Sequence, residues 1–90
     1  MNKILEEERR EDGIRTVVMS SNGKVYAVDT ADAWDAGPES MVFPYNLRMH
    51  SFKSKELYAR RYNSMPDAYK GHTEICDNLD KYIIGHKRQG

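Results

Sequence analysis

"IRTVVMSSNGKVYAVD", residues 14–29, decides how this chain folds. Its two arms are rich in Val, Ile, Thr and Tyr, the β-branched and aromatic types that suit a pleated, half-buried surface. Between the arms stands Asn22-Gly23, the dipeptide favoured in a two-residue type I′ turn because both central positions need positive φ. That turn sets a register with Met19 facing Tyr26, Val17 facing Val28, and Val18 opposite Ala27 on the other side. The Met19/Tyr26 side is the larger and more aromatic, so it is the side expected against the core.

Toward the N-terminus, "NKILEEERRE" holds good helix formers but almost no apolar stripe. It reads as a charged helix or tail over residues 1–12, closed by the turn signal Asp12-Gly13. Past the hairpin, "TADAWDAGPES" reads as a loop marked by Gly37-Pro38. "SMVFPYN" reads as a third strand, which Pro44 confines to an edge or ends. "LRMHSFKSK" has no clean period and serves as a connection, and "ELYARRY" alternates as a fourth strand would, with a short helix as the alternative. The sheet region is thus expected over 14–62.

A helix follows over 64–84. Ser64 caps it, with its hydroxyl placed to accept from the amide of Asp67 and the Asp67 carboxylate placed to reach back. Pro66 falls in the first turn, where its missing donor costs nothing. Met65, Ala68, Tyr69, His72, Ile75, Cys76, Leu79, Tyr82 and Ile83 recur at threes and fours, a full amphipathic face. Gly85 stops the helix, and His86, Lys87 and Arg88 suit its negative end. The fold expected is α+β: a small antiparallel sheet of three to four strands, packed by one long C-terminal amphipathic helix, in a single small domain.

Two segments, "ESMVF" at 39–43 and the run "ARRYNSMPDAYKGHTEICDNL" at 59–79, resemble a pattern of small phage- and prophage-encoded proteins. These carry an "ETMVF"-like strand and then an "ARYxSxxEAxxGH" segment running into a terminal helix. Pro66-Asp67 departs from that pattern where acids are usual, and so does the long insert between the segments. The resemblance covers about a third of the chain. It implies a phage origin and a small sheet-plus-helix fold, and it carries over no catalytic residue.

Several groups of residues have types that could carry chemistry. His72, Cys76 and Asp80 stand four apart on one helical face, a spacing that can hold a metal. No second cluster completes such a site, so His72 is expected to pack at the edge of the helix–sheet contact, with Gly71 allowing close approach. A Cys–His nucleophile pair needs a cleft and a third orienting group. Asp29, Asp32 and Asp35 lack the alternating spacing and central glycine of a calcium loop. No glycine-rich phosphate loop is present. No catalytic residue, cofactor or metal is therefore expected.

Fourteen Lys and Arg balance fourteen Asp and Glu, yet the signs are sorted along the chain. Arg48, Lys53, Lys55, Arg60 and Arg61 are interleaved with Tyr58 and Tyr62, while Trp34 stands among aspartates. These eight residues form the expected binding set, because Tyr, Trp and Arg dominate interface hot spots. The competing expectation is that the arginines pair internally with Asp29, Asp32 and Asp35. No apolar run is long enough for a membrane span, and the single Cys76 excludes a disulfide framework and favours a reducing cytoplasm. The function expected is that of a non-enzymatic phage accessory protein in the cytoplasm of a bacterial host. It would act by binding a protein partner, inhibition of a host or defence protein being one form. The alternatives are a virion or assembly component that forms a homo-oligomer, and a nucleic-acid-binding module, which the zero net charge disfavours.

Overall fold

The computed structural model describes residues 2–83. Six antiparallel strands form one sheet: β1 (Lys3–Arg10), β2 (Gly13–Met19), β3 (Val25–Ala33), β4 (Gly37–Asn46), β5 (Ser51–Phe52) and β6 (Tyr58–Arg61). Two helices follow, α1 (Met65–Asp77) and α2 (Leu79–Tyr82). The first four strands lie in chain order, and the outer edge of β4 is shared by β5 and β6. The α+β class is as expected, but the sheet has more strands and the helix is shorter.

The central hairpin forms, with its register moved by one residue. Val18 pairs with Tyr26, Val17 with Ala27 and Thr16 with Val28. Its loop holds three residues, because Ser20 and Lys24 already bond across it (Ser20 N to Lys24 O, 2.9 Å). Gly23 alone takes the left-handed conformation, at φ 84°, and Asn22 does not. The Asn22 side chain instead accepts from the Lys24 amide at 2.8 Å and from the Ser20 hydroxyl. A one-residue slip exchanges the faces of one strand relative to the other. Val18, Tyr26 and Val28 therefore share the helix side, while Met19 and Val17 join Val25 and Ala27 on the opposite side.

Residues 3–10, expected as helix or tail, are an edge strand. The hairpin through Glu11-Asp12 sets Arg10 opposite Gly13, and a register shift between Ile4 and Glu6 marks a bulge. Backbone pairing with β2 outweighs helix propensity here, and Leu5 is held against Val17, Ala27 and Tyr45. The expected loop around Gly37-Pro38 is mostly strand as well. β3 runs on to Ala33, and Ala33 pairs with Gly37, whose φ of 75° closes the turn.

Pro44 lies inside β4, opposite Tyr26. Its neighbours explain why it is tolerated. The Val42 carbonyl accepts from Leu57 at 2.7 Å and the Pro44 carbonyl accepts from Lys53 at 2.8 Å. The missing N–H thus falls where the edge of β4 passes from one partner strand to the next.

Helix α1 starts as its sequence predicts: the Ser64 hydroxyl accepts from the Asp67 amide at 3.3 Å, with Pro66 in the first turn. It stops at Asn78, seven residues before Gly85. Asn78 turns back on the helix, its side-chain amide donating to the Glu74 carbonyl at 3.0 Å, with φ −124° and ψ 36°. The single turn of α2 then keeps Leu79 and Ile83 buried. The expected stop at Gly85 and the basic residues 86–88 lie outside the described residues. Ile75, Cys76, Leu79 and Ile83 close over Val18, Tyr26, Val28 and Val42, and Ala68 is buried one turn before His72. Among the described residues no helix is long and apolar enough to cross a membrane.

Candidate binding surfaces

The helix face of the sheet holds a polar centre inside the apolar core. Thr30 and Ser40 face each other across β3 and β4, Thr16 lies on β2 opposite Val28, two residues along from Thr30, and all three are buried. His72 descends from α1 among them. Its Nε2 lies 2.8 Å from the Thr16 hydroxyl and its Nδ1 lies 2.7 Å from the Thr30 hydroxyl, which in turn bonds Ser40 at 2.5 Å. His72 is 4% exposed, so it stands under the helix rather than at its edge. Burial pushes its pKa down to about 4. Burial likewise pushes the Cys76 thiol up to about 12. Both ring nitrogens of His72 are taken up within the protein, and among the described residues no His, Cys, Asp and Glu cluster is arranged to hold a metal.

Gly71 has a different neighbour from the one expected. A Cβ there would stand 2.2 Å from the Tyr62 hydroxyl, so its lack of a side chain makes room for the Tyr62 ring. Arg60 lies over the same ring at 5.2 Å and reaches Glu74 at 3.8 Å. Tyr58 packs against Tyr82 with ring centroids 4.7 Å apart. These three residues, placed in the binding set by sequence, face the helices, Arg60 and Tyr62 toward α1 and Tyr58 toward α2. Arg61 points to the opposite side of the sheet and lies 3.6 Å from Glu39. The two arginines do pair internally, but with Glu74 and Glu39 rather than with Asp29, Asp32 or Asp35.

The rest of the set is spread along β4. Arg48 is exposed in the turn after β4, and Lys53 and Lys55 are exposed just beyond it. Trp34 is at the other end, on the tip of the β3–β4 hairpin, and is 99% exposed. The ten residues of β4 separate the two ends by roughly 30 Å at about 3.3 Å per residue. Seven of the eight residues therefore fall into two patches, with Tyr58 between them opposite Val42. One holds Trp34 with Arg60, Arg61 and Tyr62 nearby, since the Tyr62 amide donates to the Pro38 carbonyl beside that hairpin at 2.9 Å. The other holds Arg48, Lys53 and Lys55.

Sequence reasoning missed the open face of the sheet. Phe43 and Phe52 stack at 4.0 Å, Tyr45 meets Phe52 edge-on at 6.1 Å, and the Arg15 guanidinium lies 4.9 Å above Phe52. Arg15 also bonds Asp29 at 2.7 Å, and Arg10 bonds the other oxygen of the same carboxylate at 3.0 Å. Asp29 is thus a paired ion within the sheet, not part of a solvated acidic loop. The alternation of Arg15, Val17 and Met19 carried a signal for this face, but the shifted register assigned it to the wrong side. Comparison of the chain with family models, with curated proteins and with solved structures finds no match.

Proposed function

We propose that this chain is a non-catalytic accessory protein of the phage-encoded kind its sequence resembles, and that it works by binding another protein through the Trp34 hairpin. The observation that carries this reading is the position of Trp34. Its side chain contributes nothing to a core and stands on a tight turn held by paired strands on both sides. A large, rigid aromatic on a firm support suits a hot-spot anchor, because little conformational freedom is lost on docking. Asp32 and Asp35 flank it, so the matching surface is an apolar pocket with a basic rim.

Nucleic acid fits less well. Arg60 and Arg61 each meet a glutamate and face opposite sides of the sheet, while Arg48, Lys53 and Lys55 lie at the far end. A strand of nucleic acid needs cations and aromatics along one continuous groove. The test is affinity capture from bacterial lysate with the wild-type chain and with Trp34→Ala. A specific protein captured by the wild type and lost with the variant supports the reading. Capture that is equal with both moves the contact away from this hairpin.

A further inference from the structure

Among the described residues the outer edge of β1 is unpaired: the strand bonds β2 on one side only. Which of its backbone groups face outward follows from the register. The Asp12 carbonyl accepts from Asp32, and the Ser20 amide donates to Lys24, so the even-numbered residues of β2 bond to β3. The odd-numbered residues, Gly13, Arg15 and Val17, then bond to β1, where they face Arg10, Glu8 and Glu6. Glu7 and Arg9 are left with their amides and carbonyls directed outward. Exposed edges of this kind are usually guarded by charge, which repels foreign strands. Here the guard is ordered as "EEERR", residues 6–10, and that order is complementary to itself when reversed.

We propose that β1 pairs antiparallel with β1 of a second copy of this chain, about a two-fold axis at Glu8. In this register Glu7 of each copy meets Arg9 of the other and exchanges both backbone hydrogen bonds with it. Glu6 of each copy meets Arg10 of the other, and only the Glu8 pair at the axis is unfavourable. The other registers that match outward groups are worse. Glu7 on Glu7 sets Glu6 against Glu8, and Arg9 on Arg9 sets Glu7 against Glu11. Such an interface is isologous and closed, so it gives a dimer with a continuous sheet and both helices on one face. Arg9 is well exposed and holds Glu7 only by a loose 3.7 Å contact, and the Glu7 carboxylate, which accepts from the Thr16 hydroxyl at 3.4 Å through one oxygen, keeps its other oxygen for a partner. The Trp34 hairpin stays open in the dimer, since β3 and β4 lie beyond β2 from the shared edge.

Sedimentation equilibrium at low and high salt tests this. The wild type is expected to dimerise, more weakly at high salt. Arg9→Glu, at an exposed position, is expected to weaken the dimer by on the order of tenfold or more while leaving the circular dichroism spectrum unchanged. The double variant Glu7→Arg/Arg9→Glu exchanges the paired charges and is expected to restore dimerisation. Glu8→Gln is expected to strengthen it by removing the repulsion at the axis. A wild type that stays monomeric at millimolar concentration overturns the proposal. So does a dimer that Arg9→Glu leaves unchanged, or one that the double charge exchange fails to restore.

Discussion

The two faces of the sheet hold different kinds of structure. The face under the helix is closed and continuous: Val18, Tyr26, Val28 and Val42 meet Ile75, Leu79 and Ile83, with one hydroxyl–imidazole cluster set among them. The open face is a patchwork, with a small buried group of Val17, Ala27 and Tyr45, a phenylalanine stack and an aspartate shared by two arginines. The closed face is where removing atoms leaves a cavity. On the open face, water and neighbouring side chains can fill what is lost.

The largest effect is therefore expected from Ile75→Ala or Leu79→Ala. Both side chains are fully buried, and each loss should cost about 2–5 kcal/mol in urea unfolding. Midpoints equal to wild type would show that the helix does not close the core.

The polar centre of the closed face predicts a pH dependence. Folding lowers the His72 pKa from 6.5 to about 4 because burial disfavours the charged ring. The unfolded chain therefore takes up the proton first as pH falls. The stabilisation that depends on neutral His72 is complete above pH 6.5 and is lost as pH falls through 4, amounting to about 3 kcal/mol at most. Proton NMR of the imidazole should show its titration near pH 4, and a midpoint at or above the ordinary histidine value would contradict the buried placement.

Phe52→Ala probes the other face. The ring is partly exposed and stacks on Phe43, so its removal should cost about 1 kcal/mol, well below the cost at Ile75. A loss as large as that at Ile75 would show the two faces to be equal partners. Ser64→Ala should cost about 1 kcal/mol through the lost cap bond to Asp67, measured as a shift in the unfolding midpoint.

How much was legible in the sequence follows the same division. The closed face depends on repeated spacing along one helix, and Ala68, His72, Ile75, Cys76, Leu79 and Ile83 were plain at threes and fours, while Tyr69, expected on the same face, is exposed. The cap at Ser64 was plain because its chemistry is local. The break at Asn78 was not, since Leu79 and Ile83 keep the spacing on both sides of it. The hairpin was legible as a hairpin, but its register rested on which residues take positive φ. The bonds of the Asn22 side chain to Ser20 and Lys24 favour the three-residue loop, and no propensity records that. β1 was hidden because a charged edge strand looks like a charged helix when its partner strand is unknown. Of the candidate binding residues, Trp34 was found by its strangeness in an acidic stretch. That the basic residues fall into two distant patches depends on the length of β4 and could not be read from their closeness in sequence.

The functional reading depends on one region differing from both faces: the Trp34 tip must stand outside the packed structure altogether. Trp34→Ala is accordingly expected to change stability by no more than about 0.5 kcal/mol. Because Trp34 is the single tryptophan of the chain, its fluorescence reports the point without any substitution. Acrylamide quenching of the folded protein should be as efficient as quenching in urea, and the emission maximum should not move through the unfolding transition that circular dichroism records. A blue-shifted, protected emission in the isolated folded protein, moving red together with unfolding, would place Trp34 in a core and contradict the account.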